Sequence, residues 1–156
     1  MKRADQLQPL SRQHHLGLHI GRHAKECADH PEQIAEHWQA LTSYISDMRH
    51  HFKIEDHLIG TALQSYRDAN PEVAAALDTL DYQHKSLHQA MADMPESEGN
   101  SVTVERVRAL GSLLYDHVRF EERELFPIVE KYLTEDELDA IYEASPDSIK
   151  RPEEGR

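Results

Sequence analysis

The chain has 156 residues, enough for one domain with a substantial core, and a net charge of −12, which argues against general nucleic-acid binding and against docking on an anionic membrane. Its hydrophobic fraction of 38% suits helices that bury one stripe and solvate the rest, and its single cysteine, Cys27, excludes an intrachain disulfide and fits a reducing cytoplasm. No apolar run approaches a membrane span, the basic start Met1-Lys2-Arg3 leads into no apolar signal segment, and the outlying number is twelve histidines.

The first predicted helix runs from about Pro9 to Ala28. Its apolar side carries Leu7, Leu10, Leu18 and Ala28, and Gly17 and Gly21 allow a neighbour to approach closely. At about 100° per residue His14 falls inside that stripe, whereas His15, His19 and His23 form a separate row. Pro31 restarts the helix at a position that tolerates proline. The second helix then extends to about Asp68, with Ile34, Trp38, Leu41, Ile45, Met48, Phe52, Ile59, Ala62 and Tyr66 at helical spacing. Glu55 lies within this stripe and His51 at its edge.

Asn70-Pro71 caps and opens a third helix, which carries Val73, Leu77, Leu80, His84, Leu87 and Met91 and ends near Met94-Pro95. The stretch from Pro95 to Ser101 reads as a loop. The fourth helix starts between Ser101 and Val104 and carries Val107, Leu110, Leu114, His117, Glu121, Leu125 and Ile128, with Pro127 expected to kink or end it. Thr134-Glu135-Asp136-Glu137 matches a capping box and opens a short helix to about Ala144. The expected architecture is all-α: an antiparallel up-down-up-down four-helix bundle with a short C-terminal helix over residues 1–145, then a polar, frayed tail over 146–156.

His-x-x-x-Glu occurs twice, as His51 to Glu55 and as His117 to Glu121, and each copy follows another histidine, His14 or His84, at a similar distance. Residues four apart share a helix face, so each motif aims an imidazole and a carboxylate the same way. Either group in a helical core is unfavourable unless paired or bound. One such pair reads most simply as a histidine hydrogen-bonded to its glutamate. Two copies on apolar stripes, each preceded by a core-facing histidine, read as a metal site in a helical bundle. His84 is central in its stripe, and His88, nearer the edge, is a further candidate. On the first helix the choice lies between His14 and His15, and the stripe selects His14. The row of His15, His19 and His23 is expected to be exposed, His50 and His57 solvated, and His37 a bundle-end histidine. The Glu-x-x-His of ferritin-like di-iron bundles and the His-Glu-x-x-His of zinc proteases do not occur, and one cysteine supplies no thiolate set for structural zinc.

Together these segments resemble the hemerythrin-like, or HHE cation-binding, family. The resemblance spans roughly Leu10 to Leu133 and is carried by Leu10-Ser11-Arg12-Gln13-His14-His15, by His51-Phe52-x-x-Glu55-Asp56, by Gln83-His84 and by His117-x-x-x-Glu121-Glu122-x-x-Leu125-Phe126-Pro127. It implies a non-haem di-iron centre, two iron ions bridged by two carboxylates and an oxo or hydroxo group. Manganese or zinc are substitutes that the same donors accept. Carried onto this chain, Glu55 and Glu121 are the bridges and His14, His51, His84, His88 and His117 the terminal ligands. One iron would then hold three histidines and the other two, with an open position for O2, peroxide or nitric oxide. Two positions depart from the family pattern: Gln13 stands where a Glu is usual, and Asp56 replaces the second Glu of its motif. Both are placed to alter hydrogen bonding around the ligands.

The function this implies is a cytoplasmic di-iron protein that binds O2 or a related small oxidant, in binding, sensing or storage. The alternative is a di-iron oxidoreductase consuming peroxide or NO, which needs a water and proton route for which Tyr44 and Tyr66 are candidates. Signalling through a partner surface has only the row of His15, His19 and His23 to offer.

Overall fold

Regular structure in the computed structural model, which describes residues 3–92 and 102–151, is helical, and no strand occurs among the described residues. The expected loop at 95–101 lies outside them. A 3-10 turn, Asp5–Leu7, leads into α1 (Gln8–Lys25), whose buried positions Leu10, His14, Gly17, Gly21 and Ala24 recur every three or four residues. Pro31 opens α2 (Pro31–Asp47).

The expectation of one unbroken helix onward to Asp68 is corrected. The backbone tightens at Met48 (φ −86°, ψ 7°), restarts as α3 (Arg49–Ile54), widens into a π turn at Glu55–Ile59 and closes as α4 (Gly60–Gln64). After α5 (Pro71–Ala92), the same device recurs: α6 (Val104–Phe120) runs into a second π turn, Glu121–Leu125, and resumes as α7 (Phe126–Tyr132). In each π turn a main-chain N–H reaches a carbonyl five residues back, Gly60 to Glu55 and Phe126 to Glu121. Pro127 therefore does not end the helix. It falls in the first turn of α7, where a missing N–H is tolerated.

The capping box of α8 (Glu135–Ala144) is formed as expected. Thr134 Oγ1 accepts from the Glu137 N–H at 3.2 Å, and Glu137 Oε1 accepts from the Thr134 N–H at 2.9 Å. Beyond it, where fraying was expected, Asp147–Ile149 forms a 3-10 turn whose Ile149 carbonyl accepts from the Arg12 side chain. No helix among the described residues is long and apolar enough to cross a membrane.

Gly21 and Gly111 set the close crossing of α1 and α6. A Cβ on Gly111 would lie 2.7 Å from Ala24 Cβ and 2.8 Å from the Lys25 main-chain nitrogen, and one on Gly21 would lie 3.0 Å from the Tyr115 nitrogen. The apolar core is divided in two. Leu10, Ile59, Leu80 and Leu125 belong to one cluster, and Ala24, Phe52, Leu87 and Leu114 to the other. Along each of the four long stretches, a histidine or glutamate lies where the chain passes from one cluster to the other.

Candidate metal centre

Each long stretch delivers its polar residue to this dividing layer. His14 comes from α1, His51 from α3 and Glu55 from the first π turn; His84 comes from α5, His117 from α6 and Glu121 from the second π turn. All six are at most 3% exposed. Their donor atoms form two groups, His14 and His51 with both glutamates, and His84 and His117 with the same glutamates, and within each group the atoms lie within 4.8 Å of one another.

Each carboxylate divides its oxygens between the groups. Glu55 Oε2 lies 2.7 Å from His51 Nε2, and its Oε1 lies 2.9 Å from His84 Nε2. Glu121 Oε1 lies 2.6 Å from His14 Nε2, and its Oε2 lies 2.9 Å from His117 Nε2.

The outer ring nitrogens make an equally regular set. His14 Nδ1 lies 2.5 Å from Glu122 Oε2, His51 Nδ1 2.8 Å from Gln13 Oε1, His84 Nδ1 2.8 Å from Asp56 Oδ1, and His117 Nδ1 2.6 Å from Gln83 Oε1. A carboxylate only accepts, so Nδ1 of His14 and His84 carries the hydrogen, and the amide oxygens of Gln13 and Gln83 select the same tautomer in the other two. Every Nε2 then turns either a lone pair or an added proton toward a carboxylate oxygen. The convergence of lone pairs and negative oxygens calls for positive charge at the centre. Hydrogen bonds do not supply it fully: His14 Nε2, His117 Nε2 and both Glu121 oxygens are buried without hydrogen-bond geometry despite their short separations. Metal cations fit this donor set, because they satisfy the orphaned atoms and neutralise both carboxylates.

Protons are the competing cations. Burial alone lowers the pKa of His14, but Glu121, Glu122 and Glu55 outweigh it and raise it to about 10. His84, opposed by burial in the same way, is raised to about 12 by Asp56, Glu121 and Glu55. His51 is also raised, its carboxylate neighbours overcoming burial. Burial disfavours the charge on Glu121, yet the adjoining His117, Glu55 and His14 hold its pKa well below the usual carboxylate range. Glu122 falls to about 2, with His14, Ser11 and Arg3 prevailing over burial.

The walls of the layer are aromatic. Phe126 stacks on His14 with ring centroids 5.3 Å apart, and Phe52 lies 4.7 Å from His84 and 5.8 Å from His117. Arg3 reaches over from the N-terminal segment, donating to Glu122 Oε1 at 3.2 Å and lying over the Phe126 ring.

Of the seven residues singled out in the sequence, the structure brings together His14, His51, Glu55, His84, His117 and Glu121. It does not bring His88, which is exposed. Four residues along a helix leave a side chain rotated by about 40° and raised by about 6 Å, and the Phe52 ring, 6.1 Å from His88, fills the space beside His84. Each of the two buried groups therefore contains two histidines, where the resemblance implied three around one iron and two around the other. His15, His19, His23 and His57 are exposed, and His37 is partly buried. His50, also exposed, lies with Nε2 2.8 Å from the Ala144 carbonyl oxygen. Gln13 and Asp56 do shape the hydrogen bonding of the rings, as their positions suggested. Glu122 and Gln83 do the same and were missed. Their signal was positional: each accepting residue immediately precedes a buried histidine or follows a buried glutamate.

A family model described as Hemerythrin HHE cation binding domain matches residues 5–129. No curated protein and no solved structure matches the chain.

Proposed function

The chain belongs to the hemerythrin HHE cation-binding domain family, and from that membership we propose that it is a non-haem di-iron protein that binds O2 or a related small oxidant, in binding, sensing or storage. The observation that carries this reading is the division of each buried carboxylate between two histidine-bearing groups, an arrangement suited to two neighbouring cations rather than one. His14 and His51 would hold one cation, His84 and His117 the other, and Glu55 and Glu121 would serve both. Mixed imidazole and carboxylate donors suit iron, with manganese or zinc as substitutes.

Iron held there would supply the electrons that a small oxidant takes up on binding. The chain's own residues do the rest. Gln13, Asp56, Gln83 and Glu122 hold the rings in the tautomer that turns Nε2 inward and set the basicity of each ring. Phe52 and Phe126 pack apolar rings against His84 and His14, surroundings that favour a small, weakly polar molecule over water beside them.

We read the four stretches as an antiparallel up-down-up-down bundle, supported by the alternating order in which they pass between the two apolar clusters. A cytoplasmic location is supported by the single, buried, unpaired cysteine. Turnover of peroxide or nitric oxide at the same site is less favoured, because the Tyr44 hydroxyl, a candidate proton donor, donates instead to the Gln13 carbonyl at 2.8 Å.

Metal analysis and optical spectra of protein from iron-supplied cells test the proposal. We expect about two irons per chain, one for each donor group, and near-ultraviolet absorption that changes reversibly with O2. One tightly held zinc, or no metal, would overturn it. Rapid consumption of peroxide or nitric oxide would establish the oxidoreductase.

A further inference from the structure

The row of His15, His19 and His23 takes no part in the buried layer, and all three side chains are exposed on α1. Standing four residues apart on an unbroken α-helix, they share one face. The rings of His19 and His23 meet, with centroids 4.3 Å apart and planes at 61°. Neither side chain is held in a hydrogen bond or an ion pair among the described residues, so their ring nitrogens are free for a ligand from solvent.

An imidazole nitrogen suits copper, nickel and zinc, whereas magnesium and calcium take oxygen donors. Two imidazoles one helical turn apart make a bidentate pair, with water completing the coordination. A tetrahedral zinc with Zn–N bonds of about 2.0–2.1 Å needs its two nitrogens roughly 3.3 Å apart. Rings already in contact reach that separation by turning about their side-chain torsions, with the helix unchanged.

The row offers His19 two neighbours, and three observations select His23. At about 1.5 Å of rise per residue, His15 and His23 lie roughly 12 Å apart along α1 and cannot share one ion. His23 is the residue whose ring His19 meets. His23 also stands in the last turn of α1, where the negative end of the helix dipole favours a cation. Of the other cations in that turn, Lys25 is drawn aside over the Tyr115 ring, 4.3 Å from its centre. Arg22 stands about 60° round the helix from His19, off the row.

We infer that His19 and His23 form a surface site for a divalent transition-metal ion of the copper, nickel and zinc class, separate from the buried layer. The site is independent of the di-iron reading, so its test is read residue by residue.

Zinc is the probe. The full-length chain is first incubated with zinc and freed of the excess, then titrated with zinc while the histidine side-chain nitrogens are followed by NMR. The expected result is a saturable shift of His19 and His23 at one midpoint, in the roughly micromolar to millimolar range. His19→Gln and His23→Gln should each weaken zinc at least about tenfold, with an unchanged melting temperature before zinc is added, and His15→Gln should change it less than about threefold. Copper should displace the zinc, and a large excess of magnesium should not. Absence of a saturable shift, different midpoints for the two residues, indifference to either substitution, or displacement by magnesium overturns the site. A loss on His15→Gln as large as that on His23→Gln overturns the choice of His23. The response of His14, His51, His84 and His117 to the first incubation reports on the buried layer alone, so the two readings fail separately.

Discussion

Glu121 touches both histidine-bearing groups, lies fully buried, and has neither oxygen in a hydrogen bond. Glu121→Ala is therefore expected to empty both groups rather than one, and Glu55→Ala to do the same, since its oxygens are divided likewise. His57→Ala and His88→Ala, both at exposed positions, are expected to leave the metal content unchanged. Metal content per chain, measured across the four variants, checks this, and equal retention in all of them would remove the assignment. The six residues of the buried layer were legible in the sequence because each lies within or beside an apolar stripe. That His88 lies outside the buried groups was not legible, because spacing along one helix says nothing of what a neighbouring helix, here through Phe52, places beside it.

Helical elements in this chain meet at fixed points, and Gly111 is the least forgiving. A methyl there would press on Ala24 Cβ and the Lys25 backbone, so α1 and α6 would have to separate. Gly111→Ala is expected to destabilise the protein by about 1–3 kcal/mol, measured by urea unfolding. Gly60→Ala is the contrast: its added Cβ meets only the Glu55 carbonyl at 3.4 Å, and the change should stay under about 1 kcal/mol. The two π turns were not legible. Glu55 and Ile59, or Glu121 and Leu125, are buried at a spacing of four that an ordinary α-helix satisfies equally well. The capping box was legible because it is closed by side chains three residues apart.

At the scale of the molecule, a buried polar layer divides the core, so stability is tied to whichever cation occupies that layer. His14 and His84 have folded-state pKa values raised to about 10 and about 12 in the metal-free chain. Their stabilising contribution is fully present below the reference histidine pKa of about 6.5 and is lost as pH rises through the raised values. Glu121 and Glu122 are shifted the other way, so their contribution is present above about 4.5 and lost as pH falls. Metal-free protein is thus expected to unfold more readily at pH 9 than at pH 6, as read by melting temperature. Metal-loaded protein, whose histidines are neutral ligands, should lose its metal on acidification instead. Chelation near neutral pH should lower the melting temperature, since a ligand at a hundred times its Kd stabilises by about 2.7 kcal/mol per site.

What the amino-acid sequence determined by itself was the helical content, most of the buried stripe of each helix and six residues of the layer; Ala28, expected in the first stripe, is exposed beyond the end of α1. Those follow from periodicity and side-chain chemistry, which act over a few turns of one chain segment. Only the tertiary structure decided that each carboxylate is split between two groups, that Glu122 and Asp56 reach the histidines of the opposite half, and that His88 stays outside. These depend on how far helices are rotated and how closely they approach, and both are settled where side chains of different helices compete for the same space.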